Sequence, residues 1–317
     1  MFSSIRTRAM GSTSDLFSHG PAPLEHTLDW RGDPGLIGPG SVSWKVLGDV
    51  TAFVGGIRAL LVQTAMPEVV AGVDQHSRYR EDPLGRLSRT AHYVTSTTYG
   101  AMPEVEQAVA MVRRAHRGVA GTSERDRPYR ADDPALAAWV HNALTDSFLS
   151  AYQHYGPQRL SEREADQFVE EQSRIGALLG ADPLPTTAAG LAEWLEGQPA
   201  VAHSEAQERA IRFLRRPPLP IAVQLPYATL FTAAAATIAP NVRRTLGVNV
   251  PPGGEQLGRG AVAGLRWALG SSPSWQLALV RCGEPIPDGV FKQPLPEGAA
   301  DALHDREPHV PAADTAG

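Results

Sequence analysis

Helix start signals followed by apolar residues at helical spacing recur along most of this chain, and they constrain its fold more than any other feature. Asp133-Pro134 places a capping carboxylate before a proline at the first helical position, and an apolar stripe begins at Leu136. Ser161 and Glu164 form a capping box, and Gly180 supplies a stop for the helix that follows. Both segments are predicted to be helices.

Six further segments have helical periodicity, and the Pro-Pro-Leu-Pro run at 217–220 breaks the chain between two of them. Only 275–280 has the pattern of a strand, and one short strand cannot build a sheet. The fold class is therefore predicted to be all-α, as a single globular domain of many helices. The six further helices are predicted at 50–65, 104–117, 187–195, 203–214, 227–239 and 255–269.

Both ends of the chain differ in composition from its middle. Residues 1–25 are predicted to form a flexible arm, and the Gly/Pro/Ser-rich opening as far as Gly40 is predicted to wrap around the domain. The helical domain itself is predicted to span 26–283. The Pro/Gly-rich segment 284–317 is predicted to be a mobile tail with no packed element beyond about Asp288, because its composition offers little apolar surface to bury.

Charge and cysteine content exclude several classes of function. A formal net charge of -5 and a pI near 6.1 provide no positive field for a phosphate backbone, so nucleic acid is not an expected partner. Cys282 is the only cysteine, which rules out an intramolecular disulfide, a Cys-rich zinc site and covalent attachment of heme through two cysteines.

Hydropathy predicts neither a signal peptide nor a transmembrane segment. Residues 1–20 contain no continuous apolar stretch, so a cytoplasmic location is expected. The most apolar stretch, 225–239, is shorter than the roughly 20 residues that span a bilayer. A tightly packed core helix is favoured there over a helix lying on a membrane surface.

One histidine lies on an apolar stripe. Val105, Val109, Val112 and His116 recur at helical spacing, so all four are predicted to face the interior. An imidazole in that place is either a core histidine with hydrogen-bonding partners or a neutral ligand to a metal or heme iron. Spacing alone favours the core histidine and leaves the ligand open.

The other histidines do not form a recognisable metal site. His141 shares a helix face with apolar residues and is the alternative axial ligand, whereas His76 and His92 lie in more polar surroundings. No pair of histidines has a known metal-binding spacing, so a zinc or non-heme iron site has little support. The adjacent carboxylates Glu170 and Glu171 are predicted to lie on a solvated helix face rather than in a catalytic dyad.

A cluster of two arginines and a threonine lies at 86–90, where Asp82-Pro83 opens another helix. Arg86 and Thr90 share one helix face, and Arg89 lies beside them. Two interpretations are open for these arginines. In the first they are solvated or salt-bridged; in the second they bind heme propionates or stabilise an anion on iron.

Taken in order, these segments resemble the heme-dependent oxygenases that include the latex-clearing rubber oxygenases and the oxygenase of mycophenolic acid biosynthesis. The resemblance covers about the middle two-thirds of the chain and lies in the order of many short matches. They are Gly38-Pro39-Gly40-Ser41, Trp44, Leu60-Leu61-Val62-Gln63, Pro67, His76-Ser77, Asp82-Pro83, Arg86, Arg89-Thr90, Tyr99-Gly100, His116-Arg117-Gly118-Val119-Ala120-Gly121, Pro128-Tyr129, Asp133-Pro134 and Trp139-Val140-His141.

The resemblance implies a role for each clustered residue. His116 matches the proximal ligand of a heme b, while Arg86, Arg89 and Thr90 match the catalytic residues on the oxygen-binding side, with Arg86 also a candidate for binding a propionate. Arg89 stands where the rubber oxygenases have lysine. Two departures concern the reaction: Met66 stands where many members have a histidine, and Glu68 matches the rubber oxygenases' glutamate only loosely.

The implied function is a heme b-dependent oxygenase that uses O2 on an apolar, isoprenoid- or polyketide-like small molecule in specialised metabolism. A redox partner is a further candidate. The alternatives are a non-catalytic helical protein of the same fold that binds heme or a lipid-like ligand, and a family member that has lost the cofactor.

Overall fold

The computed structural model describes residue 24 and residues 26–295, which are mainly helical as predicted. A 3₁₀ helix, Thr27–Trp30, precedes thirteen α-helices, and one two-stranded antiparallel sheet interrupts them. The first part contains α1 (Val42–Gly48), α2 (Thr51–Gln63), α3 (Pro67–His76), α4 (Pro83–Tyr99), α5 (Met102–His116), β1 (Ala120–Thr122) and β2 (Pro128–Arg130). The second part contains α6 (Pro134–Tyr155), α7 (Glu162–Leu178), α8 (Ala188–Glu196), α9 (Glu205–Arg215), α10 (Ile221–Ala236), α11 (Pro240–Thr245), α12 (Gly254–Leu269) and α13 (Pro273–Cys282).

The helix start signals act as their chemistry predicts. The Asp133 carboxylate accepts hydrogen bonds from the backbone N–H of Ala135 and Leu136, at 2.9 and 3.2 Å, and so satisfies two donors at the start of α6. Ser161 and Glu164 form the predicted capping box of α7. The proline run ends α9 and precedes α10, which begins earlier than predicted and contains Pro226.

The centre of the core is the contact between α2 and α6. The two helices approach so closely at Gly55 that a Cβ there would lie 2.5 Å from the Phe148 ring. Trp139 of α6 is fully buried, and its indole N–H donates to the Gln63 carbonyl at 3.1 Å. Close packing and a paired indole together fix the register of these two helices.

The structure differs from the predicted secondary structure in one wrong assignment and one missed element. The segment 275–280 is helical, because Ser272 caps the helix and Pro273 occupies its first turn, so apolar residues there line a buried helix face. The β1–β2 hairpin was not predicted, and its strands have only three residues each.

The chain ends are partly outside the described residues. Of the predicted arm, only Leu24 is described, and it is buried in the core. In the predicted tail, Phe291 packs on the Trp275 ring with a centroid distance of 5.3 Å, so the expectation of no packed element beyond 288 is wrong at that residue. Residues 296–317 lie outside the described part.

The interpretation of Glu171 as a solvated side chain is also wrong. Its carboxylate is buried and accepts backbone hydrogen bonds from Val42 at 3.3 Å and Ser43 at 2.8 Å. Glu171 therefore caps α1 from a distant helix, whereas the neighbouring Glu170 is exposed and bonds to Arg174 at 3.3 Å.

Within the described part of the chain, no single helix is long and apolar enough to cross a membrane. Two consecutive helices, α1 and α2, have the length and composition only when taken together, and they meet at a bend of 90°.

Candidate functional site

Helix α4 carries the arginine–threonine cluster and begins at Asp82. The Asp82 carboxylate accepts the Gly85 N–H at 2.9 Å, and a Cβ at Gly85 would collide with that carboxylate. Arg86 and Thr90 lie one turn apart on the same face, as predicted, and the Thr90 hydroxyl donates to the Arg86 carbonyl at 3.1 Å. Arg89 is exposed and pairs with Asp82 at 3.3 Å.

Arg86 differs from Arg89 in its surroundings. Its guanidinium is half-buried and donates to the Ser77 hydroxyl at 2.8 Å, with no carboxylate of the described residues in ion-pair range. Burial lowers the pKa of Arg86; the nearby Tyr79 opposes this effect, and the neighbouring positive charge of Arg89 adds to it. A half-buried cation beside a second cation favours an anionic ligand.

Helix α5 ends at His116, and its apolar stripe enters the core only at the start. Val105 and Val109 are buried and Val112 is half-buried, whereas His116 is exposed. The prediction that all four residues face the interior is therefore wrong at His116, because the last turn of α5 lies at the surface. The imidazole of His116 is exposed but partly desolvated by neighbouring atoms, which lowers its pKa, and Asp132 partly opposes that effect.

The carboxyl end of α3 connects the two parts of the candidate site. Ser77, directly after α3, accepts the hydrogen bond from Arg86. His76, the last residue of α3, contacts the Ala120 carbonyl at 3.1 Å, and Ala120 follows His116 by four residues. Arg86 and β1, the strand that follows α5, therefore both contact the end of α3, and α4 and α5 contact each other directly.

His141 does not join this group. It is buried between α6 and α7, where its Nε2 lies 2.8 Å from the Gln172 carbonyl and its ring packs against Gly176. Burial lowers the pKa of His141 to about 4, although the hydrogen bond to Gln172 opposes the shift. These contacts support the interpretation of His141 as a core histidine.

Glu68, the loosely matched glutamate, is engaged in an ion pair. It accepts from Arg125 at 2.8 Å and from the Ser123 hydroxyl at 3.0 Å, both in the β1–β2 hairpin. Burial raises the pKa of Glu68, but the hydrogen bonds from Arg125 and Ser123 outweigh burial and lower it overall. Met66 and Glu68 line a cavity of about 350 Å³ that also includes Trp194.

Sequence reasoning missed Tyr93. Its hydroxyl is buried and has no hydrogen-bond partner among the described residues, and burial raises its pKa well above the usual range. Tyr93 follows Arg86 by seven residues and Thr90 by three, so it continues their helix face. Helical spacing in the sequence could have identified Tyr93, because it lies one turn beyond Thr90 on that face.

The described side chains do not form a metal centre of their own. No group of three or more His, Cys, Asp or Glu residues in the described part of the chain is arranged to hold a metal ion. A metal site here would depend on one histidine and a ligand that brings its own donor atoms. The His116 ring makes no hydrogen bond to the described residues and is accessible from solvent.

Comparison with known proteins identifies one family. The model of the catalytic domain of the ER-bound oxygenase mpaB/B′/rubber oxygenase family matches residues 44–267, well over half of the chain. No curated protein and no solved structure matches. The match includes all the clustered residues of α4 and α5, so this chain belongs to the mpaB/rubber oxygenase family of catalytic domains.

Proposed function

We propose that this protein is a heme b-dependent oxygenase that uses O2 on an apolar small molecule of isoprenoid or polyketide type. The observation that carries the proposal is the match to an oxygenase family over residues 44–267, which include His116, Arg86 and Arg89. The hydrogen bond from Arg86 to Ser77 at the end of α3 supports it. Oxygenase turnover takes its electrons from the substrate or from a partner. The proposal therefore includes a redox partner for the case in which the substrate does not supply them all.

The residues present fit heme in three respects. The lowered pKa of His116 favours the neutral imidazole, the form that ligates iron. Arg86 has no carboxylate partner in the described structure and matches the charge and shape of a propionate. The buried Tyr93 hydroxyl offers one further hydrogen bond on the same face of α4.

The three polar side chains of α4 have different roles in this proposal. Arg86 would bind a propionate, since its bond to Ser77 already orients the guanidinium. Arg89 is solvent-accessible and weakly paired, so it is free to stabilise negative charge that develops on oxygen. Thr90 would hold a proton or water beside it. Bound heme would supply the redox chemistry of oxygen activation.

A second candidate function, heme binding without turnover, is favoured by one observation. Glu68 is the nearest, loose match to the rubber oxygenases' glutamate, and its carboxylate accepts hydrogen bonds from Arg125 and Ser123. A carboxylate held in that way is a poor general base, because its lowered pKa reduces its affinity for a proton.

The test compares His116→Ala and Arg89→Ala with wild type, all purified from heme-supplied cells. His116→Ala should lose most of the Soret absorption, because no other imidazole lies on that stripe. Arg89→Ala should retain heme, while O2 consumption with apolar substrates should fall roughly 100-fold, the usual cost of losing one oxyanion-stabilising donor. His203→Ala and Arg174→Ala, both exposed, are the matched controls.

Three results would contradict these assignments. A normal heme spectrum in His116→Ala would remove the proposed ligand. Complete loss of heme in Arg89→Ala would make Arg89 a cofactor anchor. Heme binding without O2 consumption on any apolar substrate would support the non-catalytic alternative.

A further inference from the structure

The start of α10 presents aliphatic side chains to solvent. Ile221 is 87% exposed and Leu225 is 76% exposed, which makes them the two most exposed large hydrophobic side chains of the described residues. They are one helical turn apart and therefore lie on the same face. Single exposed aliphatics are common on protein surfaces, but an adjacent pair this exposed indicates a contact surface.

Positive charge accompanies these aliphatics. Residues 209–254 contain six arginines and no aspartate or glutamate, although the whole chain has a net charge of -5. Arg212, Arg215 and Arg216 are exposed at the end of α9, directly before the proline run. Among the described residues, Glu208 is the only acidic residue that forms an ion pair with any of these three arginines, and it lies 4.0 Å from Arg212.

The other charged groups near this region are largely neutralised or directed elsewhere. Arg209 pairs with Asp74 at 2.9 Å and with Glu124 at 3.2 Å. Glu208 also bonds to His203 at 2.9 Å. The positive charge of the three exposed arginines is therefore not cancelled by the acidic residues around α9.

The polar and apolar parts of this surface are held together. The Tyr227 hydroxyl of α10 donates to the Leu214 carbonyl of α9 at 2.7 Å. The proline run between the two helices restricts the intervening backbone. The arginines and aliphatics are thus presented by adjoining, mutually fixed helix ends.

We propose that this surface docks on a phospholipid membrane that contains anionic headgroups. The docking surface consists of Arg212, Arg215, Arg216, Ile221 and Leu225. Arginine binds phosphate through parallel hydrogen bonds, and exposed aliphatics insert at the boundary between headgroups and acyl chains. An anionic lipid surface can bind both the arginines and the aliphatic side chains, whereas an uncharged protein groove would bind only the aliphatic side chains.

The docking surface adjoins the candidate site. Phe213 of α9 packs edge-to-face on Tyr79, with ring centroids 5.1 Å apart, and Tyr79 lies two residues after Ser77, the hydrogen-bond partner of Arg86. A membrane-bound orientation would bring the candidate site close to apolar molecules dissolved in the bilayer. That consequence rests on the proposed function, whereas lipid docking does not.

The test is co-sedimentation of the full chain with vesicles of phosphatidylcholine alone or mixed with phosphatidylglycerol. Binding should require phosphatidylglycerol and weaken with salt. Arg215→Gln with Arg216→Gln should weaken partitioning roughly fivefold per arginine. Ile221→Ser with Leu225→Ser should weaken it about tenfold per side chain, as expected for losing a buried aliphatic. Leu257→Ser and Arg174→Gln, exposed elsewhere, are matched controls that should bind like wild type.

Several outcomes would overturn the proposal. They are no binding to either vesicle, equal binding to both, or equal losses in the control variants. Self-association that Ile221→Ser with Leu225→Ser abolishes would assign the surface to a second copy of the chain. Heme content is measured on the same samples: loss of docking with heme retained contradicts only this inference, and absence of heme with docking retained contradicts only the proposed function.

Discussion

At the residue scale, His141 is held neutral by its surroundings, and this makes stability depend on pH. Its pKa is lowered by burial to about 4 in the folded chain, against about 6.5 when unfolded. Because the unfolded state binds the proton more tightly, the contribution is fully present above pH 6.5 and is lost as pH falls towards 4. The loss should be on the order of 3 kcal/mol.

Urea unfolding of wild type and His141→Gln across that pH range measures this effect. The variant should be less stable at neutral pH but should lose less stability on acidification. His203→Gln, which removes an exposed histidine, should keep the acid sensitivity of wild type. An unchanged acid slope in His141→Gln would show that other groups cause the loss.

The unpaired hydroxyl of Tyr93 leads to a second prediction at this scale. Tyr93→Phe should raise the free energy of unfolding of the heme-free protein by about 1 kcal/mol, because it removes a buried group without a partner. Tyr129→Phe should lower it by about 1 kcal/mol, because the Tyr129 hydroxyl donates to Gln75 at 2.6 Å. Urea unfolding measures both changes. If the free energy of unfolding changed in the same direction in both variants, this prediction would be contradicted.

The candidate site was predictable from the sequence only in part. The cluster at Arg86, Arg89 and Thr90 was found because its residues are close in the chain. Periodicity placed His116 and His141 on apolar faces alike, but it could not show that His116 ends at the surface while α7 covers His141. What packs opposite a helix face depends on the tertiary fold, which spacing does not encode.

At the scale of elements, Glu171 joins two helices that are distant in sequence. Its charge-assisted hydrogen bonds satisfy two N–H groups at the start of α1. Glu171→Gln should therefore destabilise the chain by about 1–2 kcal/mol, since it removes the charge and one acceptor oxygen.

Glu170→Gln is the adjacent control. Its side chain is exposed and, among the described residues, pairs with Arg174 alone on the same helix, so its replacement should change stability by less than about 0.5 kcal/mol. Thermal or urea unfolding distinguishes the two variants. Equal effects would mean that Glu171 contributes little to α1.

Helices were easier to predict than the short elements between them. Capping signals such as Asp133 and Ser161 act locally, so the sequence determines where α6 and α7 begin. The segment at 275–280 was misassigned because a continuous apolar run fits a strand or a buried helix equally well. The Ser272-Pro273 start signal was the deciding feature.

At the scale of the whole molecule, an all-helical domain was predictable because every segment with strong periodicity is a helix. The arrangement of those helices was not, because it depends on close approaches between distant parts. A Cβ at Gly35 would lie 2.1 Å from the Gly100 carbonyl, so the opening segment lies directly against the corner between α4 and α5. Neither glycine carries a sequence signal for that contact.

Arg281 fixes this arrangement. It is buried in α13 and donates to the Asp33 carbonyl at 2.8 Å, and to the Thr27 hydroxyl and the Tyr99 carbonyl at 2.6 Å each. Its guanidinium also lies 3.8 Å from Glu104 at the start of α5. One side chain thus ties the opening segment and α13 to the corner between the two helices of the candidate site.

Arg281→Met should therefore destabilise the chain by about 3–5 kcal/mol, as expected when one partner of a buried, charged network is removed. Hydrogen exchange should increase at residues 27–35 and at the α4–α5 corner, and heme affinity should fall because α4 and α5 lose their common anchor. Arg266→Met is the control, because Arg266 pairs with Asp49 at 2.7 Å and also bonds to the Tyr155 carbonyl. It should destabilise the chain without increasing exchange at the corner more than elsewhere. If both variants increase exchange equally at all sites, Arg281 contributes to global stability alone and does not position α4 and α5.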